Sequence, residues 1–284
     1  MKRKTSALII LLSFTMMTGC TADFKVDENT VENISNKVTK TVIETLGKEN
    51  AEKTESQTIN ATKMDNVVIR NSIGDINITT HDSMEVLVDV TIKASSNSKE
   101  GTEKLLRETT YTIEPKWNDI IIDTSQINRI YGDLENVSIN LSIKVPSNIN
   151  KIYVDNNVGN LNIENYNGKI ESEINVGDIN ITNCNSSYYI KSDVGDIKLI
   201  NCILYDKSEF NSNTGNIDIT STDISDAKSF EALTQVGDIN ITLPSNSSYE
   251  SSSTAFMENE KTETKGSGNT KIKLTSKVGD VNFK

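Results

Sequence analysis

The chain is poor in the residues that most site chemistry uses. Its 284 residues include one histidine, one tryptophan, three prolines and three cysteines. A single histidine, His81, removes most metal and acid–base chemistry that depends on imidazole. Aromatic residues make up 5% and apolar residues 35%. That is low for a compact α/β enzyme and too high for a disordered chain. Positive charge is also scarce, with 29 Lys and Arg against 40 Asp and Glu and a net charge of -11. Binding to phosphate backbones needs clustered cations, so a nucleic-acid partner is disfavoured. Long apolar runs are missing as well. The best is Ala7 to Met17, roughly 11 residues interrupted by Ser13 and Thr15, against the ~20 that a spanning helix needs.

That short run has a purpose of its own. It follows the basic start Met1-Lys2-Arg3-Lys4, which together make a secretory signal. The run ends at Met17-Thr18-Gly19-Cys20, which resembles the lipobox of bacterial lipoproteins. The resemblance implies cleavage before Cys20 and acylation of its thiol with diacylglycerol. Several acyl chains on one residue anchor a protein stably, where one would be marginal. Residues 1–19 then form a lipoprotein signal peptide and residues 20–55 a lipid-anchored tether. Residues 56–284 form the folded domain, on the extracytoplasmic face of the cell membrane. Loss of Lys2, Arg3 and Lys4 takes the net charge from -11 to -14. Within the tether, Val31, Ile34, Val38, Val42 and Leu46 recur at three- and four-residue steps. Asn29 with Glu32 has the spacing of a capping box, and Gly47 stands where a C-cap would. A short helix with a narrow apolar stripe and a solvated spacer both fit.

One hexapeptide recurs seven times. It reads Ile73-Gly74-Asp75-Ile76-Asn77-Ile78, then Val158-Gly159-Asn160-Leu161-Asn162-Ile163 and Val176-Gly177-Asp178-Ile179-Asn180-Ile181. Next come Val194-Gly195-Asp196-Ile197-Lys198-Leu199, Thr214-Gly215-Asn216-Ile217-Asp218-Ile219 and Val236-Gly237-Asp238-Ile239-Asn240-Ile241. The last copy is Val278-Gly279-Asp280-Val281-Asn282-Phe283. From Gly159 the glycine spacings are 18, 18, 20, 22 and 42 residues. Gly followed by Asp or Asn is turn chemistry: glycine accepts positive φ, and the Asx side chain bonds its own backbone. The alternation after each glycine is that of a strand with one buried face. An apolar residue five before glycine (Ile69, Val154, Ile190, Phe210, Leu274) marks a second strand, with Ser172 and Ala232 as exceptions. A unit of about 18 residues cannot bury its own apolar face, but stacked units can. The expected fold is all-β: a β-solenoid of stacked coils of roughly 18–22 residues.

The stretch between Gly74 and Gly159 is less regular. Residues 84–94, 110–114, 118–124 and 137–145 read as longer strands, and Lys99 to Thr109 as a short helix or a loop. Gly132-Asp133-Leu134 half-matches the hexapeptide. Val145-Pro146 and Leu243-Pro244 end apolar strands, because proline cannot donate to a ladder. Residues 245–270, rich in Ser, Thr, Glu and Asn, read as one widened or irregular coil with a mobile loop.

The Val-Gly-Asp-Ile-x-Ile copies, the two strand-ending prolines and the closing strand resemble the bacterial "putative adhesin" domain of unknown function. The resemblance covers roughly residues 55–284. It departs mildly at Thr214 and at the Asn160 and Asn216 copies. It implies a β-helix-like surface domain and carries over no catalytic or binding residue.

Candidate chemistry is therefore read from the residues. The turn file of Gly74, Gly159, Gly177, Gly195, Gly215, Gly237 and Gly279 is structural. Its partners are Asp75, Asn160, Asp178, Asp196, Asn216, Asp238 and Asp280. Stacked carboxylates could hold Ca²⁺, but calcium-binding rolls need more glycine per turn. The expectation is that the Asx residues bond backbone amides and that no metal is held. Cys184 and Cys202 follow Asn183 and Asn201 in register, so the stack makes them a disulfide or a buried thiol pair. Trp117, in a turn after Pro115, reads as the plug of a core end, with an exposed stacking residue as the alternative. His81 reads as a surface residue. With no Gly-x-Ser-x-Gly elbow, a catalytic triad is not expected. The expected function is non-catalytic binding at the cell surface, without cofactor. The ligand would be a cell-envelope protein or polysaccharide, and the membrane is a partner through the lipid. The alternative is a structural or regulatory envelope subunit that acts with a membrane partner protein.

Overall fold

The computed structural model describes residues 49–126 and 136–283. The signal segment, Cys20, the Val31–Leu46 stripe and the Gly132 half-repeat lie outside these residues. The elements begin with β1 (Glu49–Asn60), β2 (Asn66–Ile73), β3 (Ile76–His81), β4 (Glu85–Ser96) and α1 (Lys99–Glu108). Next are β5 (Thr112–Lys116), β6 (Asp119–Asp123), β7 (Asn136–Pro146), β8 (Lys151–Val158), β9 (Leu161–Glu164), β10 (Lys169–Val176) and β11 (Ile179–Thr182). They continue with β12 (Asn185–Ser186), β13 (Tyr188–Val194), β14 (Ile197–Leu204), β15 (Asp206–Thr214), β16 (Ile217–Asp223) and β17 (Ala227–Val236). The last are β18 (Ile239–Thr242), β19 (Tyr249–Thr254), β20 (Lys261–Lys265), β21 (Thr270–Ser276) and β22 (Val281–Phe283).

These strands form two sheets of a β-solenoid. The first runs β1-β4-β7-β3-β9-β11-β14-β16-β18-β22, with β12 beside β14. The second runs β20-β19-β21-β17-β15-β13-β10-β8-β2-β6-β5. Each hexapeptide glycine is the corner at which a strand of the second sheet passes into the first. Next to the glycine corner the coils pair in parallel without offset: Ile179 faces Leu161 on one side and Ile197 on the other, and register shifts lie farther along, at Ile200–Ile203 and Asp206–Lys207. The core lies between the sheets as files of like residues. Ile76, Leu161, Ile179, Ile197, Ile217 and Ile239 are all fully buried. Each such side chain contributes about 1.5–3 kcal/mol relative to exposure. The two exceptions in the file five before glycine stay in it. Ser172 and Ala232 are buried, and Ala232 stands opposite Phe210, so a small residue offsets a large neighbour.

The order of coils in space is not their order in sequence. β2–β3 comes first in the chain but is sandwiched between β6–β7 and β8–β9. After β3 the chain turns back through β4, which pairs antiparallel with both β1 and β7. α1 and the β5–β6 hairpin follow, and the coils resume with β6–β7 and then β8–β9. Ile139 of β7 therefore takes the glycine position beside Gly74. Residues 49–55, read from sequence as tether, form the first half of β1. The Lys99–Thr109 stretch is a helix, capped by Ser98 Oγ accepting from the Gly101 amide at 3.0 Å. Residues 245–270 do make the coil between β18 and β21 irregular, but through a pair of strands. They fold into the β19–β20 antiparallel hairpin, which covers the end of the second sheet.

The corner explains why only glycine recurs there. All seven have φ between +134° and +149°. A Cβ on Gly195 would lie 2.1 Å from the carbonyl oxygen of Gly177. Gly195→Ala is expected to destabilise the fold by about 3 kcal/mol or more, because strain and clash add. Asp196→Asn next to it, which retains the acceptor oxygen, is expected to cost less than about 0.5 kcal/mol. Chemical denaturation of the two variants checks both values.

Candidate functional site

Beside the glycines the Asx side chains form one continuous hydrogen-bonded file. Asp75 accepts from the Asn160 amide, Asn160 from Asp178, Asp178 from Asp196 and Asp196 from Asn216, at 2.7–2.9 Å. Asn216 accepts from Asp238 and Asp238 from Asp280, at 2.8 and 2.9 Å. The bond goes to the next coil and not, as expected from turn chemistry, to the residue's own backbone. Asn140 continues the file beyond Asp75. Among the described residues no group of His, Cys, Asp and Glu is placed to hold a metal ion.

The second corner is an asparagine file. Asn165, Asn183 and Asn201 have φ of 59°, 54° and 55°, the left-handed region that asparagine tolerates best after glycine. Each precedes an inward side chain: Tyr166, Cys184 and Cys202, all buried. Both thiols are free. Cys184 Sγ donates to the Thr182 carbonyl at 3.3 Å and Cys202 Sγ to the Ile200 carbonyl at 3.4 Å. Burial pushes the Cys184 thiol up to about 12 and raises that of Cys202 as well. Neither is a nucleophile at physiological pH. His81 lies at the end of β3, where Nε2 and the Glu85 carbonyl are 2.7 Å apart.

Trp117 does not plug the core. It is 89% exposed at the tip of the β5–β6 hairpin, with φ of 60°. Asn118 pins that tip: its carbonyl accepts the Asp65 amide at 2.8 Å, and its side chain donates to the Asp65 carboxylate at 2.9 Å.

The face best built to meet a ligand is the outer side of the second sheet. Parallel pairing without offset lines up Tyr153, Glu171, Tyr189, Glu209, Glu231 and Lys273, one per strand. These residues share a shallow groove of about 660 Å³. The two tyrosines are separated by two strand spacings, about 9.6 Å. Lys191 Nζ lies 4.6 Å from the centre of the Tyr189 ring and 3.6 Å from Glu173. Glu171, between the tyrosines, takes Lys169 at 2.6 Å and Lys151 at 3.4 Å. Partial burial raises its carboxyl pKa, but the two lysines outweigh this and hold it below the ordinary value. Glu171 therefore stays ionised into mildly acid solution. Asp155 differs: burial, then the charge of Glu173, raises its carboxyl. Glu231 binds Lys273 at 2.8 Å. The groove lining carries four lysines and four glutamates, so it is locally neutral on a chain of net charge -11.

Sequence reading missed this face, although the signal is there. The row is the residue six before each glycine, from Val68 through Tyr153 to Lys273. Its members differ in chemistry, and a search for identity across repeats passes over them.

The thiols provide a direct check of this packing. Alkylation of Cys184 and Cys202 is expected to be negligible in the native protein at pH 8. Both are expected to react fully once the chain is unfolded, as mass spectrometry of the tryptic peptides would show.

No curated protein matches the chain. Among solved structures, a "putative adhesin" from Bacteroides fragilis is 20% identical, with a TM-score of 0.47, over 82% of this chain and 97% of that one. A "putative adhesin" from Parabacteroides distasonis is 13% identical, with a TM-score of 0.41, over 82% and 94%. A "putative cell adhesion protein" from Clostridium sporogenes is 14% identical, with a TM-score of 0.30, over 83% and 99%. A family profile, Toastrack DUF4097, matches residues 25–284. This match spans the whole described fold, and the chain belongs to the Toastrack DUF4097 family.

Proposed function

We propose that this protein is a lipid-anchored, non-catalytic binding protein of the bacterial cell envelope, and that it holds a glycan strand on the outer face of its second sheet. One observation carries the ligand class: Tyr153 and Tyr189 flank Glu171 on a flat, locally neutral face. Sugar rings present apolar C–H faces that lie against tyrosine rings, and hydroxyls that bond carboxylates and ammonium groups. A neutral polymer suits a groove whose charges balance, with Glu171, Glu173 and Glu231 already in ion pairs. A rigid sheet keeps the row in register, so little ordering entropy is lost on binding.

The anchor rests on Cys20 and the segment before it. Among the described residues no helix is long and apolar enough to cross a membrane. The lipid would hold the solenoid at the extracytoplasmic face.

Two experiments test this reading. Retention of the full chain on purified envelope polysaccharide should fall about tenfold for Tyr153→Ala or Tyr189→Ala, with stability unchanged. Retention equal to wild type in both variants would remove the groove from the account. Cys20→Ala should abolish metabolic labelling with palmitate and release the protein from membranes into the soluble fraction. Persistent labelling would place the lipid elsewhere.

A further inference from the structure

The glycine corner, where the strands of the second sheet end, carries a feature that the groove does not use. The residue before each corner glycine points outward. Val158, Val176, Val194, Val236 and Val278 are 44–49% exposed, in a line along the solenoid axis. Phe256 ends the line at 50% exposure, its amide bonded to the Gly279 carbonyl at 3.2 Å. Six of the ten large exposed apolar residues among those described therefore stand on one edge. Thr214 interrupts the file once. Scattered exposed apolar residues need no explanation, but a contiguous file does.

Charge borders this file. Two residues after this position stands the Asx residue, which is Asp after four of the five valines (178, 196, 238 and 280) and again at 75, one coil beyond Val158. None of these five has a salt bridge among the described residues. In four of them one carboxylate oxygen accepts the next coil's amide. Asp193, one residue before Val194, adds a sixth carboxylate at this edge, and Lys277, at the same place before Val278, one cation.

We propose that the valine edge docks a basic amphipathic helix of a partner protein. The apolar stripe of the helix would lie on the valines, and its lysines or arginines would meet the aspartate file. Dimensions agree: Val158 to Val278 spans five coil steps, about 24 Å, the length of a helix of about 16 residues. Each turn of a helix advances about 5.4 Å, close to the 4.8 Å between valines. A second copy of this chain would match the spacing better, but would set one aspartate file against another. Like charges therefore disfavour it. An anionic membrane surface is disfavoured for the same reason.

The probe is a synthetic 18-residue amphipathic peptide of leucine and lysine, titrated against the full chain. Its counterpart with glutamate in place of lysine is the control. The lysine peptide should bind, and binding should weaken with salt. Two variant sets isolate the edge. Val176→Thr with Val194→Thr copies the residue already present at 214. Asp178→Asn, Asp196→Asn and Asp238→Asn together keep every amide acceptor in the file. Each set should weaken binding about tenfold while thermal stability stays near wild type. Glycan retention in the groove should not change, which separates this inference from the preceding reading. Four outcomes overturn it: no binding by wild type, equal binding of the glutamate peptide, unchanged binding in both variant sets, or self-association of the chain that the threonine pair abolishes. The last would assign the edge to a second copy.

Discussion

Everything in this molecule depends on how closely two backbones approach at one corner. The carbonyl of each corner glycine sits where a Cβ on the next coil would have to be, about 2.1 Å away. The same residue needs φ near +145°. Both conditions leave only glycine. Once that residue is set, the Asx beside it is within reach of the next coil's amide, and the hydrogen-bonded file follows. The corner thus sets the coil step, the step sets the register, and register without offset turns like positions into files.

Files give the fold both its economy and its surfaces. Inward files are aliphatic and stack into a core only two sheets thick. Outward files are free to vary, and three of them acquire character: the tyrosine and glutamate row, the valine edge and the aspartate file beside it. None of these exists in a single coil. A lone tyrosine at position 153 or 189 is an unremarkable surface residue. Two of them across a carboxylate, at a fixed spacing on a rigid sheet, make a surface that can be recognised.

The places where local reading and structure part company have physical causes. From sequence Trp117 reads as a core plug, because large aromatics usually bury their area. The β5–β6 turn instead holds it outward in a left-handed conformation, pinned by Asn118 on Asp65. The 245–270 stretch has the composition of a loop. Its strands β19 and β20 nevertheless have an open sheet edge to pair with, and pairing satisfies backbone groups that composition cannot reveal. Ile139 stands at a glycine position without penalty because β7 runs straight through that level and never turns a corner.

The hexapeptide by itself determined that the chain coils, where each corner lies, and which alternate residues face the core. Those properties follow from local backbone geometry and period-two alternation, which are written in every copy. Only the tertiary structure decided that the first coil is inserted between two later ones, that the Asx bonds run between coils, and which outward residues share a face. Each of these depends on which strand lies beside which. Residues 85 apart, such as Gly74 and Gly159, become neighbours only when the intervening β4–β7 excursion folds back and leaves that side of the coil open.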